Sequence, residues 1–562
     1  MTARRSRWRT STVAVGVLAT VSACTTNGSG AAPRSSTVPP PNTGRSTAAA
    51  PSDLTSEINA ITGNARYSKA SWSVVVADLG TGKSLYTEHP DTLAFTGSVR
   101  KLFSVGLALK TLGPDHRTTT PVYRTGTLDT AGVLHGNLNL VGAGDLTLGG
   151  RRTANGALAY TDFDHNDANN LGTASLTPQD PLAGVDQLAR QVRAAGITTV
   201  DGDVVIDDRL FPAYRVPNND LLITPTMLNE NMVDVTITPT RPGQPATLQY
   251  RPKTAALKVI SSVRTTAAGT TPTVSVPDVK ASNGQSVTGL VTCAATVGCT
   301  ARVSGTIPVD YRAPLSGDRS YVGTFRVEDP EAFARTAFIQ ALQRIGVKVA
   351  TPTVGPNPTA TLPASTSYPS TSRVAALISP TYAHQAKLIL KVSLNLGANL
   401  ALTQFGLTQG DKTRSGALAA ERKAVIGMGV PASGFDFPSN GSGSPDSRAT
   451  PLAIVKLLTM MSHTNVAGIY QNALPVLGVD GSLAHTGTDL AAKGHVYAKT
   501  GTTLLDGKLK AQTLAGYVDT LAGHRLAFAI CLNDYGPINS INDVLPVFSD
   551  EAAVTDVLYR KG

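Results

Sequence analysis

Ser98 stands three residues before Lys101 in Thr96-Gly97-Ser98-Val99-Arg100-Lys101-Leu102-Phe103, where a loop turns into an apolar stretch. Three residues along a helix leave two side chains about 60° apart, so the hydroxyl and the amine share one face. A serine hydroxyl attacks poorly until a base takes its proton, and a lysine can be that base once its own pKa is drawn toward neutrality. The pair is a candidate acylation centre. Alone, Ser-x-x-Lys turns up by chance about once in a chain of this length, and then usually caps a helix ahead of a solvated lysine. Two further pieces follow in order, Ser393-Leu394-Asn395 and Lys499-Thr500-Gly501-Thr502. Each by itself also reads as a helix cap or a strand-end turn. The ordered trio is far more specific than any member.

These residues need elements to hold them. Ser71 to Asp78 reads as a strand, Gly80-Thr81-Gly82 as a turn and Lys83 to His89 as its hairpin partner, leading straight to Ser98. Val99, Leu102, Phe103, Leu107 and Leu109 then predict an apolar helix that Gly113-Pro114 stops. The start of such a helix, with its unpaired N–H groups, favours negative charge. Helical stretches from His384 to Leu390 and Leu396 to Leu407 flank Ser393. The loop Asn440-Gly441-Ser442-Gly443-Ser444 precedes a helix from Leu452 to Met461. Strands from Thr513 to Asp519 and Arg525 to Asn533 follow, and Ser549 with Asp550 and Glu551 marks the start of a last helix. Strands at both ends with helices between predict an α+β domain, one antiparallel sheet flanked by helices, built from residues 54–117 and 373–562.

Residues 118–372 have a different texture, short strands separated by Gly, Pro, Asn and Thr, with helices at Pro181 to Ala195 and Pro330 to Ile345. They read as a large β-rich insertion between the first and second chemical motifs. Gly142-Ala143-Gly144-Asp145 lacks the Gly-Lys-Ser/Thr ending of a nucleotide loop and reads as a structural turn.

Composition bounds the rest. A chain of 562 residues, 41% hydrophobic and 16% charged, has ample material for buried cores and suits two or three domains. Arg4, Arg5, Arg7 and Arg9 precede an apolar stretch from Val13 to Ala23 that is too short to span a bilayer, so residues 1–24 read as an export signal. It ends in Val21-Ser22-Ala23-Cys24, which resembles a bacterial lipobox and makes Cys24 the expected site of lipidation, against a soluble export signal with an incidental cysteine. Residues 25–53 read as an extended Pro/Ser/Thr-rich tether. The expected location is the cell envelope, with the membrane reached through the anchor. Removing the signal's four arginines takes the net charge from +10 to +6, and no basic run interleaved with aromatics argues for nucleic acid. In an exported chain Cys293 and Cys299, six apart, are expected to form a disulfide, while Cys531 sits in a buried strand. No zinc-type Cys/His spacing occurs.

The trio resembles that of the class C low-molecular-mass penicillin-binding proteins, the D-alanyl-D-alanine carboxypeptidase/endopeptidase family. The likeness extends to Gly136 through Asp145, to the Gly441-Ser442-Gly443 loop, to Asp480-Gly481-Ser482-Leu483 and to Ala515-Gly516-Tyr517, and the 295 residues between Ser98 and Ser393 accommodate that family's insertion. The resemblance implies a penicillin-binding transpeptidase-like fold and a serine carboxypeptidase or endopeptidase acting on peptidoglycan peptides, with β-lactam antibiotics as inhibitors and no cofactor or metal. It makes Ser98 the nucleophile, Lys101 its base, Ser393 the shuttle to the leaving amine and Asn395 a contact to the substrate backbone. Lys499, Thr500, Gly501 and Thr502 would bind the terminal carboxylate, and the N–H groups of Ser98 and Thr502 would form the oxyanion hole. Asn440 stands where aspartate is usual, Ser482 where threonine is, and His485-Thr486 where a basic residue is expected.

Two rivals remain at this point. A β-lactamase or esterase would share the nucleophile, but no Glu-x-x-x-Asn element of the class A kind lies between the second and third motifs. A noncatalytic wall-binding scaffold would instead place the function in the insertion.

Overall fold

The computed structural model describes residues 53–562 apart from 219, 281–285, 289, 292–297, 365 and 539–542. The signal, the lipobox cysteine Cys24, nearly all of the tether and Cys293 lie outside the described residues.

Strands from both ends of the chain form one antiparallel sheet. They are β1 (Ser71–Asp78), β2 (Ser84–Glu88), β3 (Val496–Leu505), β4 (Lys508–Asp519) and β5 (Arg525–Pro537), in the order β2-β1-β5-β4-β3. β1 pairs with β5 over its full length, Ser71 opposite Asn533 and Asp78 opposite Leu526. The helices that bear on the site are α1 (Leu54–Thr62), α2 (Lys101–Leu112), α3 (Tyr382–Lys391), α4 (Asn395–Thr408), α5 (Arg414–Gly427), α6 (Pro451–Ser462) and α7 (Leu545–Lys561).

Side chains alternate across the sheet with the period of two that strands impose. Val74, Val76, Leu514, Phe528 and Ile530 face α1 and α7, meeting Ile58, Val554 and Leu558. Val75, Ala515, Tyr517 and Ala529 face the other way, toward Phe103, Leu107, Ile389, Leu400 and Leu457 of α2, α3, α4 and α6. The sheet is therefore covered on both faces, and β3 forms one of its edges. Cys531 is buried in β5, as its apolar surroundings imply. Cys299 is disulfide-bonded.

Three expectations need correction. Ser98 lies in a 3-10 turn, Gly97–Arg100, and the α-helix begins only at Lys101. With about three residues per turn, positions i and i+3 stand in line, which aligns Ser98 with Lys101 more closely than an α-helix would. The boundary of the insertion falls later than residue 372. The strand Arg373–Ile378 pairs antiparallel with Thr119–Arg124, and the two share a sheet with Leu138–Val141 and Val204–Asp207. The chain closes the inserted region with a strand before it returns to α3. Finally, α7 starts at Leu545 with a proline in its first turn, and Ser549 donates back to the Leu545 carbonyl inside the helix and caps nothing. The inserted region is no detached module, because its Leu146, Phe211, Ile223 and Met227 join the core beneath α2 and α4.

Candidate active site

Lys101 opens α2 with a side chain 0% exposed. Its Nζ lies 2.6 Å from Ser98 Oγ, 3.2 Å from Ser393 Oγ, 2.6 Å from Asn395 Oδ1 and 3.1 Å from the Ser442 carbonyl oxygen. The second motif reaches this amine from the junction of α3 and α4. Ser393 adopts φ +57°, a left-handed conformation that costs a non-glycine residue about 1–2 kcal/mol, and the break lets its hydroxyl face Lys101 instead of capping α4. Asn395 is the first residue of α4, and its backbone carbonyl accepts from Asn399 Nδ2 at 2.9 Å.

The Ser442 carbonyl is presented by the glycine loop. Asn440 Oδ1 accepts from the backbone N–H of Ser442 at 2.8 Å and of Gly443 at 2.7 Å, and Asn399 Oδ1 accepts from Gly441 N at 2.8 Å. Asparagine thus closes the loop at the position where the resemblance expects aspartate. The loop must be glycine-rich to approach: a Cβ on Gly443 would fall 1.9 Å from the Gly97 oxygen.

The third motif lies on edge strand β3. A Cβ on Gly97 would fall 2.5 Å from Thr502 N, and one on Gly501 would fall 2.1 Å from the Thr96 oxygen and 2.9 Å from Ser98 N. Two glycines therefore bring the backbones of Ser98 and Thr502 together. Lys499, also 0% exposed, donates to the Thr500 carbonyl at 2.9 Å. Thr500 Oγ1 lies 3.2 Å from Ser482 Oγ, so serine supplies a hydroxyl at the position of the usual threonine. The Thr502 hydroxyl departs from expectation: it lies 2.6 Å from Gln512 Oε1 on β4.

Burial and the neighbouring Lys499 cation drive the Lys101 pKa well below that of an ordinary lysine, with Arg100 adding to the shift and Asp167 opposing it. Burial lowers Lys499 to about 7, again against Asp167. Desolvation disfavours each ammonium, and the Lys499 charge further disfavours charge on Lys101.

Asp167 went unnoticed in the sequence. It is half-buried in the inserted region, and burial raises its carboxyl against the pull of both lysines. The stretch that carries it docks beside the site: Asn166 Nδ2 donates to the Val392 carbonyl at 3.4 Å, Asp162 Oδ1 accepts from Gly481 N at 2.8 Å, and Phe163 stacks on His485 at 4.9 Å. The cluster of acids in Asp162-Phe163-Asp164-His165-Asn166-Asp167 is the one signal that pointed to it. The stretch is tied down by a buried network. Arg151 binds Asp164 and Glu230, while His165 sits between Glu230 and Asp234 at 2.5 and 2.6 Å. Behind the nucleophile, buried Arg100 pairs with buried Glu421 of α5, with one contact at 2.8 Å. Lys391 holds Asp480 at 2.5 and 2.7 Å.

The chain is 27% identical over 512 residues, 86% of its own length and 82% of the relative's, to the D-alanyl-D-alanine carboxypeptidase of Actinomadura sp. (strain R39). Its fold is similar to that of penicillin binding protein 4 (dacB) from Haemophilus influenzae, with a TM-score of 0.62, 18% identity, 90% of this chain and 99% of that one covered. The same protein complexed with a novel β-lactam matches at a TM-score of 0.62, with 17% identity, 90% of this chain and 99% of that one covered. The family model for D-Ala-D-Ala carboxypeptidase 3 (S13) matches residues 54–546, from the first residue of α1 to the second residue of α7. The resemblance read from the three motifs is borne out: the chain belongs to the D-Ala-D-Ala carboxypeptidase 3 (S13) family of serine peptidases.

Proposed function

We propose that this enzyme hydrolyses the D-Ala-D-Ala ends, and the related cross-links, of peptidoglycan stem peptides through an acyl-enzyme on Ser98. The observation that carries the reading is the set of four oxygens around Lys101 Nζ. A neutral amine has two N–H donors and one lone pair. Two of its four neighbours, Asn395 Oδ1 and the Ser442 carbonyl, can only accept, so they take the two N–H groups. The lone pair is left for the serine hydroxyls. Ser98 then donates its proton to Lys101 as it attacks, general-base help worth about 10² to 10⁴ in rate.

Ser393, on the same amine, passes that proton to the departing D-alanine nitrogen. The N–H groups of Ser98 and Thr502 hold the oxyanion, a contribution of about 3–4 kcal/mol per donor. Lys499, Thr500 and Thr502 receive the free carboxylate. Binding it returns Lys499 to the ammonium form that burial alone disfavours. Water then releases the acyl group. A β-lactam acylates Ser98 by the same route and leaves slowly, and the β-lactam complex of the Haemophilus relative supports this reading. The enzyme works in the cell envelope, exported by residues 1–24 and anchored through lipid on Cys24.

The test is intact mass of the full chain with and without benzylpenicillin, beside Ser98→Ala. The expected result is one covalent adduct in the wild type alone. An adduct that persists in Ser98→Ala, or none in folded wild type that also fails to turn over a D-Ala-D-Ala peptide, overturns the assignment.

A further inference from the structure

Behind Thr502 a chain of polar groups runs from the site into the core. Thr502 on β3 and Gln512 on β4 are directly opposite in register, with Thr502 Oγ1 and Gln512 Oε1 2.6 Å apart. Gln512 Nε2 donates to Glu551 Oε2 of α7 at 3.1 Å. Gln512 and Glu551 are both 0% exposed, whereas Thr502 is half-buried and reaches the site. The other carboxyl oxygen of Glu551 has no hydrogen-bond partner, and among the described residues no cation acts on Glu551. A buried carboxylate with one amide donor and no cation is costly, and such a group takes up a proton. Burial pushes the Glu551 carboxyl well above the ordinary range. The neighbouring Cys531 thiol is pushed up to about 12 and stays neutral.

The protonation of Glu551 decides which way the hydrogen bonds run. If Glu551 were a carboxylate, the Gln512 amide nitrogen would face it, and Thr502 would donate its only hydroxyl proton inward to Gln512 Oε1. A substrate carboxylate would then meet lone pairs on Thr502. An uncharged acid has an O–H that needs an acceptor. Half a turn of the Gln512 amide exchanges oxygen and nitrogen at nearly the same positions. The acid then donates to Gln512 Oε1, Gln512 Nε2 donates to Thr502 Oγ1, and the Thr502 proton is free to point outward.

We propose that Glu551, an uncharged acid acting through Gln512, is a positioning residue that makes the Thr502 hydroxyl a donor to the free carboxylate of the substrate. The inference rests on the reading above of Thr502 as part of the carboxylate site.

The experiment compares acylation of the full chain by benzylpenicillin, which carries the carboxylate, with acylation by its methyl ester, which masks it. Glu551→Leu is expected to slow benzylpenicillin about tenfold, the value of one hydrogen bond to a charged group, and to leave the ester rate unchanged. Glu551→Gln, whose amide donates to Gln512 as the acid does, is expected to keep the wild-type ratio. Thermal melting confirms that each variant is folded. Should Glu551→Leu fail to fold, Gln512→Met cuts the chain at its middle and reads the same ratio. Equal losses for acid and ester, no loss for either, or a Glu551→Gln variant as deficient as Glu551→Leu would overturn the inference. Wild type unlabelled by both compounds would instead overturn the serine-acylation reading on which it rests.

Discussion

Lys101 Nζ is as close to Asn395 Oδ1 as it is to Ser98 Oγ, 2.6 Å in each case. The asparagine oxygen can accept but never donate, so it fixes an N–H and thereby aims the lone pair of the amine. Asn395→Asp keeps the shape and places a carboxylate against a buried amine, which favours the ammonium. Acylation at pH 7 is expected to fall by about 10²-fold and the rising limb of its pH profile to move to higher pH, since the base must now be deprotonated against an anion. A fluorescent penicillin followed across pH checks this. A variant whose profile is merely scaled down from the wild type would show that Asn395 does not tune Lys101.

The close approach of Gly97 to Thr502 and of Gly501 to Ser98 makes a second prediction. Gly97→Ala or Gly501→Ala drives a methyl into backbone atoms at 2.5 Å and 2.1 Å and separates the two N–H groups. The expected loss in acylation rate is about 10² to 10³, the effect of removing one oxyanion donor. Gly427, where a Cβ meets nothing within 4 Å, is the control, and Gly427→Ala is expected to be neutral in rate and melting temperature. Rates within a factor of about two of wild type in the two site variants would disprove the oxyanion assignment.

The sequence revealed the chemistry better than its setting. Ser98, Ser393 and Asn395 all lie within hydrogen-bond distance of the Lys101 amine, because short motifs record groups that must touch. Strand and helix positions near them followed from period-two and period-3.6 patterns. The insertion boundary was misjudged because Arg373–Ile378 looks like any short strand until its partner at Thr119–Arg124 is known. Asp167 and Gln512 were missed for the same physical reason. Their effect on the site arises from contacts across long stretches of chain; the acid cluster is the only local sign of Asp167, and Gln512 has none.

Lys499 carries a pH prediction. Burial holds it at about 7, so the free enzyme loses the ammonium that receives the substrate carboxylate as pH climbs through neutrality. kcat/KM for a D-Ala-D-Ala peptide is therefore expected to fall on the alkaline side with an apparent pKa near that value. Asp167 opposes this shift, and Asp167→Asn should move the falling limb to lower pH. Lys499→Arg should abolish the limb, because a guanidinium stays charged. A limb that does not move in either variant would assign it to another group.

The network that fastens the Asp167 segment predicts a window of stability. Burial disfavours the imidazolium of His165, but the carboxylates of Asp234 and Glu230 outweigh it and raise its pKa from 6.5 to about 10. Its contribution is fully present below pH 6.5 and is lost as pH rises through about 10. Burial likewise opposes the Glu230 carboxylate, but Arg151 and His165 lower its pKa from 4.5 to about 2. That contribution is present above pH 4.5 and is lost as pH falls through about 2. Both act together between pH 4.5 and 6.5, where the difference in melting temperature between wild type and His165→Gln is expected to be largest. The difference should shrink steadily toward pH 10, as the wild type loses the charge that the variant never had. Melting curves at pH 6 and pH 10 suffice: an equal difference at both would mean that His165 holds the segment by packing and hydrogen bonding alone, with no part played by its charge.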